Sequence, residues 1–522
     1  MHVPYFVKKT GFPSLLTSCS IAALLCLSAF SAPVHAEQAE APSKTQGSTA
    51  KADTPAFEGK GALLPQDAVT HHTATFNGHK ISYTARAGTL TLRDKDGHPS
   101  ARIFYVAYTQ DGAAPENRPV SFFFNGGPGA GTAYLHLGAA GPEILSFPAG
   151  NPTDGANAKL AINPDSWLPS TDMVFLDAPG TGWSVPTDEK KAAKEFYGVK
   201  QDARAFAKAI QLWSSTSKRL TSPRYLVGES YGGIRSIEVA NALMEQQSII
   251  VNGLIMISPA LDMSLLETGI NPLATAMALP TFEAANLSLH HQLQPDTTAR
   301  QLNSAYSYAL GPYLNKLVNT PPAGDAADTF YNEIAQRTGI PVNIVKKERG
   351  ALEASAHDIR SRDGRLYSLY DATLSIADPY PEGVSDSDSP EPTLSGFGRA
   401  YGSAFEQYAA SDLKFATPIT YNLLDLNVNA SWDYRAGQGL LAHQIPVLRQ
   451  LLALNPSMRV FIANGYFDLA CPFATSRWVK EHIPVGQDRI SLHLYSGGHM
   501  LYTRPESRAA LTQDVKAFLS HS

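Results

Sequence analysis

The chain has 522 residues, 43% of them hydrophobic and 17% charged, with a formal net charge of -5. That length exceeds one simple core, so one large domain with a substantial insertion, or two domains, is expected. A pI near 6.3 with dispersed charge and no basic stripe argues against nucleic acid as a partner.

At the N-terminus, Lys8 and Lys9 precede an apolar stretch over 14–30, and small residues close the segment at Ala36. This is the three-part layout of a secretory signal peptide, 1–36. The apolar run is too short and interrupted for a comfortable membrane span. The expectation is therefore an exported protein, periplasmic or extracellular, with no integral span once the signal is removed. Cys19 and Cys26 leave with the signal, so Cys471 has no partner for an internal disulfide and stability must come from core burial. Residues 37–65, rich in Ala, Thr, Lys, Pro and Gly, predict a flexible low-complexity spacer.

From about residue 70, "HKISYTARAGTLTLRD" and "ARIFYVAYTQDG" alternate with period two, which predicts antiparallel strands leading into "PVSFFFNGGPG". The short apolar runs "DMVFLDAPG", "RYLVGESYG", "NGLIMISPALD", "MRVFIANGYFD" and "ISLHLYSGGH" each end in Gly, Pro or a polar residue. Runs buried on both faces and separated by helical segments predict an α/β core with a central, mostly parallel sheet. This core is expected over 66–262 and again over 415–522. Between them, 263–414 loses the strand rhythm and predicts a mainly helical insertion, or cap, in which "NIVKKERGALEASAHDIRSR" forms a polar helix and "DPYPEGVSDSDSPEPTLSG" an acidic loop.

Gly228-Glu229-Ser230-Tyr231-Gly232 fits G-x-S-x-G between an apolar run and a helical stretch. Such a strand-to-helix turn exposes the serine oxygen, and glycines let the neighbouring backbone pass close by. A serine hydroxyl needs a base to take its proton and an acid to orient that base. In this architecture both follow the serine, at later strand ends, acid before histidine. Asp468, after "MRVFIANGYF", and His499, in the double-glycine turn after "RISLHLYS", meet that order. His493 lies inside a strand, His443 and His482 read as helical, and Asp425, Asp433 and Asp488 lack the strand-end placement. The glycine amides of "FFFNGGPGAGTAY" and the backbone N–H of Tyr231 are candidate oxyanion donors. No G-K-[ST] follows that glycine run, which argues against a phosphate loop. No H-E-x-x-H and no thiolate cluster points to a metal, and no cofactor is expected.

Four segments in order, "FFFNGGPGAG", "DSWLPSTDMVFLDAPGTGWS", "GESYGG" and the pair "NGYFDLACP" with "GGHM", resemble the serine carboxypeptidase family, peptidase family S10, in a bacterial-type secreted member. The resemblance covers about 75–262 and 415–515 and implies an α/β-hydrolase fold. It implies Ser230 as nucleophile, His499 as general base, Asp468 as its partner, and oxyanion amides from Gly127 and Tyr231. It further implies that Asn125, Gly126 and Glu229 hold the substrate's terminal carboxylate and that Met500 lines the leaving-residue pocket. Two carboxylates cannot share a dry pocket without one gaining a proton. Glu229 is thus expected to bind peptides as a neutral acid, which favours acidic pH. Where the family commonly has Trp before L-N-G-G-P-G this chain has Phe123, and "AGTAY" and "HMLYTRP" also depart from its pattern, which leaves residue preference open. The expected activity is release of C-terminal residues from peptides. An esterase or acyltransferase on the same machinery, and a non-catalytic binding protein on this scaffold, are the alternatives.

Overall fold

A computed structural model describes residues 57–148, 153–435 and 442–520. The expected signal peptide, with Cys19 and Cys26, and residues 37–56 of the expected spacer lie outside the described residues. The first strands are β1 (Ala68–Phe76), β2 (His79–Arg93), β3 (Pro99–Gln110), β4 (Val120–Phe124) and β5 (Asp172–Leu176). They are followed by β6 (Arg224–Glu229), β7 (Gly253–Ile257), β8 (Arg459–Gly465) and β9 (Ile490–Tyr495). The sheet order is β1-β2-β3-β5-β4-β6-β7-β8-β9, with Val185–Pro186 pairing β3. β1, β2 and β3 run antiparallel, as the period-two pattern predicts, and β3 meets β5 antiparallel. From β5 through β4, β6, β7 and β8 to β9 every neighbouring pair is parallel.

The continuous apolar runs are explained by burial on both faces. Phe122, Phe124, Leu226, Met256 and Ile462 face one core, with helices Val199–Thr216, Gly232–Gln247 and Ile445–Leu454. The alternate residues Phe123, Val227, Ile257 and Phe461 face a second core, with helices Ala400–Ser411 and Pro505–Ser520. A parallel sheet covered on both sides in this way is an α/β-hydrolase arrangement, whose functional groups belong at the carboxyl ends of the strands.

The insertion differs from its reading in detail. It has its own apolar cluster, built around Phe282, Tyr313, Phe330 and Ile334 and joined to the core through Phe467 and Phe473. It also carries a three-stranded antiparallel sheet spanning Ser361–Arg362, Arg365–Tyr367 and Ser375–Ala377. The helix expected through "NIVKKERGALEASAHDIRSR" is only Val342–Lys347, and a short turn His357–Arg360 follows separately. Arg349 and Gly350 both take left-handed backbone there, at φ 52° and 80°, which a helix cannot pass through. The segment assigned to the end of the insertion, Ala400–Ser411, packs on the sheet through Tyr401, Phe405 and Tyr408.

The end of the expected spacer is docked. Arg102 lies over the Phe57 ring at 5.0 Å and donates to the carbonyls of Gly61 at 2.6 Å and Leu64 at 3.2 Å, and Leu64 is buried. Those apolar and carbonyl groups gain an arginine from β3 that composition alone does not disclose. No helix among the described residues is long and apolar enough to cross a membrane.

Candidate active site

Register brings the chemistry together. Phe124 pairs with Gly228 and Ile257 with Glu229, so the chain following β4 and the chain following β6 emerge side by side. Ser230 sits on the turn between β6 and the helix Gly232–Gln247, at φ 61°, a conformation that side-chain-bearing residues rarely adopt. The turn is held by Ser230 N–H donating to Ile257 O at 3.1 Å and by Ser230 O accepting from Gly233 and Ala260 at 2.8 and 2.9 Å. Gly126 faces it so closely that a Cβ there would lie 2.5 Å from Tyr231 N and 2.9 Å from Ser230 Cβ. Only glycine brings the 125–127 backbone against the serine turn.

Asp468 and His499 stand just past β8 and β9. His499 Nδ1 donates to Asp468 Oδ2 at 2.8 Å, and Asp468 Oδ1 accepts from the amides of Ala470 and Cys471, both at 2.9 Å. Asp468 is wholly buried and His499 nearly so. Burial works against the imidazolium, yet the Asp468 carboxylate and its hydrogen bond hold His499 above the ordinary histidine value, with Glu229 adding to the effect. The Nδ1 bond leaves Nε2 for other chemistry. Tyr370 O accepts from the His499 amide at 2.6 Å, and the Tyr370 ring meets the imidazole edge-on at 5.1 Å.

Glu229 is buried beside the serine. Asn125 Nδ2 donates to it, and Tyr502 Oη donates to its two oxygens at 2.9 and 3.1 Å. Burial pushes its carboxyl up to about 7, although His499, Tyr502 and Asn125 pull the other way. Asn125 is oriented in turn by the Leu135 amide, which donates to its Oδ1 at 3.2 Å. One cavity of about 50 Å³ is lined by Asn125, Gly126, Gly127, Glu229, Ser230, His499 and Met500, together with Ala130, Tyr134, Tyr370, Leu394 and Leu424. Tyr231 is buried, with its ring under Arg235 and its hydroxyl accepting from Trp432 Nε1 at 3.1 Å. Every residue singled out from the sequence for this site therefore lies at or beside one cavity.

Several supporting groups carried no local signal. Arg235 Nε donates to Asp202 Oδ2 at 2.6 Å, both side chains being buried, and Arg235 also donates to Asn125 O. Asp177, within "DAPG", accepts from Thr132 N at 2.7 Å and Tyr421 Oη at 2.9 Å, which fixes the end of the glycine-rich loop. Tyr502 lies in the "HMLYTRP" segment, and only that segment's departure from the family pattern could have drawn attention to it. His443 is not helical: it bridges Asp262, its Nδ1 2.6 Å from Asp262 Oδ2, because Gln444 N–H bonds to Leu261 O and holds the segment extended.

Among the described residues, one cluster has metal-ligand chemistry: Asp468, Cys471 and His499, with donor atoms within 4.8 Å of one another. Asp468 and His499 are already engaged with each other, and burial pushes the Cys471 thiol up, so the cluster is poor in free anionic donors.

A serine on a strained strand–helix turn, with a buried histidine–aspartate pair at later strand ends of a mostly parallel sheet, defines an α/β-hydrolase-fold protein. Residues 78–335 match the family model for serine carboxypeptidases, Peptidase S10. Serine carboxypeptidase-like 42 of Arabidopsis thaliana is 29% identical over 174 residues, 32% of this chain and 33% of that protein. Carboxypeptidase sxa2 of Schizosaccharomyces pombe is 29% identical over 147 residues, 28% of this chain and 26% of that protein. The matched stretch thus spans about a third or less of these curated relatives. Among solved structures, VinJ aligns over 83% of this chain and 98% of its own at 14% identity and a TM-score of 0.37. Over residues 78–335 the chain is similar to the serine carboxypeptidase family, S10.

Proposed function

We propose that the protein is a serine carboxypeptidase that releases C-terminal amino acids from peptides, with turnover favoured at acidic pH. The observation that carries this reading is the buried Glu229 carboxyl, pushed up to about 7, beside Ser230 in the cavity lined by Asn125 and His499. A neutral carboxyl there donates a hydrogen bond to the substrate's terminal carboxylate, with the Asn125 side chain and the Gly126 amide as further donors. The substrate's last peptide bond then lies over Ser230.

The steps follow from the arrangement. Ser230 Oγ attacks the scissile carbonyl while His499 Nε2 takes its proton, and the carbonyl electrons move onto oxygen. The amides of Gly127 and Tyr231 receive that oxyanion. The imidazolium, stabilised by Asp468, protonates the leaving nitrogen, the C–N bond breaks, and the free amino acid departs. Water, deprotonated by His499, attacks the Ser230 ester, and its collapse returns the proton to Ser230 and frees the shortened peptide. Met500 lines the space for the leaving residue.

The test is incubation of the protein with N-blocked dipeptides, their C-terminal amides and the matching esters, with products identified by mass. Release of a free amino acid from the peptide, lost in Ser230→Ala, is expected. Hydrolysis of the ester alone would assign an esterase or acyltransferase instead. Failure of an active-site phosphonate to label Ser230 would leave a non-catalytic scaffold. We also propose export through residues 1–36, checked by a mature N-terminus at Glu37.

A further inference from the structure

Tyr134 is an anomaly in the cavity. Its hydroxyl is buried without a hydrogen-bond partner, although Tyr134 lines the same space as Ser230, Glu229 and His499. Buried hydroxyls are nearly always paired, and leaving one unpaired carries a desolvation cost. The ring is fixed against Tyr401, centroids 5.5 Å apart, so the hydroxyl is not a loosely held group.

Its place in the chain says what it faces. The next residue, Leu135, donates its amide to Asn125 Oδ1, so Tyr134 stands on the side of the cavity where Asn125 and Glu229 meet. In the proposed reaction those two groups hold the carboxylate of the leaving residue, and that residue's side chain projects onto the adjoining walls. The cavity's remaining lining is Tyr134, Tyr370, Met500, Leu394, Leu424 and Ala130, apolar apart from the two tyrosine hydroxyls, of which that of Tyr134 is buried without a partner. A charged side chain would lose its hydration there, and an aliphatic one would leave the Tyr134 hydroxyl unpaired.

We propose that the Tyr134 hydroxyl is a specificity determinant that hydrogen-bonds an uncharged polar side chain, a hydroxyl or carboxamide, on the leaving residue. The inference rests on the carboxypeptidase reading and narrows its substrate class. A site built to pair a hydroxyl discriminates against the isostere that lacks it, because its own polar group is then stranded.

The experiment uses N-blocked peptides identical except for C-terminal Thr against Val, and Asn against Leu, with the released amino acid quantified. Wild type is expected to favour Thr over Val by about tenfold in kcat/KM, the scale of one neutral hydrogen bond. Tyr134→Phe should bring that ratio close to one, with phosphonate labelling of Ser230 confirming an intact site. Equal wild-type rates for Thr and Val overturn the inference without any variant and leave the carboxypeptidase reading standing. A preference that persists in Tyr134→Phe also overturns it, since another group must then read the hydroxyl. No amino acid released from any peptide overturns the carboxypeptidase reading, and this inference with it.

Discussion

Replacing Glu229 with Gln tests the central electrostatic argument. In the wild type, burial pushes the Glu229 carboxyl up to about 7, so it is a neutral donor below that pH and a carboxylate above it. The ionised form repels the substrate's terminal carboxylate across a dry cavity. One pH unit above its value about one molecule in eleven still carries the proton, so kcat/KM for peptides should fall about tenfold per pH unit on the alkaline side. C-terminal amides lack the charge and should show no such fall. Their rate should rise through the titration of His499, which stands above the ordinary histidine value, and then stay level. Gln cannot ionise, so Glu229→Gln should abolish the alkaline fall while lowering the maximum of the peptide profile by about tenfold, for loss of a carboxyl donor. Because Glu229 helps to raise His499, the acid limb should also move to lower pH in the variant. The assay is amino-acid release from one peptide and its amide between about pH 4 and pH 9, roughly three units below and two units above the Glu229 midpoint. An alkaline fall that survives in the variant, or that the amide shares in wild type, refutes the reasoning.

Tyr502→Phe removes the hydroxyl whose one proton is shared between the two Glu229 oxygens and favours the ionised form, so the alkaline limb for peptides should move up by about one pH unit; a downward move contradicts the assignment. Asp202→Asn leaves the buried Arg235 guanidinium without its carboxylate and should cost about 3–5 kcal/mol in urea unfolding, with a loss under about 1 kcal/mol counting against a structural role for the pair. Gly126→Ala forces a methyl 2.5 Å from Tyr231 N and should cost at least about a hundredfold in kcat/KM by displacing an oxyanion donor; circular dichroism and phosphonate labelling check that the fold persists.

What the sequence disclosed follows from how local each signal is. Ser230, Asp468 and His499 were legible because strand ends position them, and a strand of five to seven apolar residues announces its own end. Glu229 and Asn125 were legible only through family resemblance, since nothing local requires a carboxyl beside the serine. The ordering of Phe57–Leu64 depends on Arg102, about forty residues away along the chain, and composition cannot report such a partner. The broken helix after Lys347 shows the opposite failure: a polar periodic pattern was present, but Gly350 carried the stop signal and outweighed it. Tyr134, Tyr370 and Tyr502 were not singled out because a buried tyrosine has the same sequence appearance whether it fills a core or faces a substrate.

The insertion contributes to the site itself. Its segment 369–372 bonds to both loops that carry the histidine–aspartate pair: Leu369 O accepts from Leu469 N at 3.0 Å, Tyr370 O from His499 N, and Ala372 N donates to Phe467 O at 2.9 Å. Gly498 lies so close to Tyr370 O and Asp371 that any side chain there would collide with them. Arg504, beyond His499, donates to Asp371 Oδ2 at 3.0 Å and Thr373 Oγ1 at 2.8 Å. The loops after β8 and β9 are thus held by one segment of the insertion as well as by the sheet. A base that must keep its ring within hydrogen-bond geometry of two partners needs such bracing, because small displacements carry a large rate penalty. The long interruption of the sheet pattern is therefore part of what sets the geometry at His499, and the residues that do so lie about a hundred and thirty positions from the histidine.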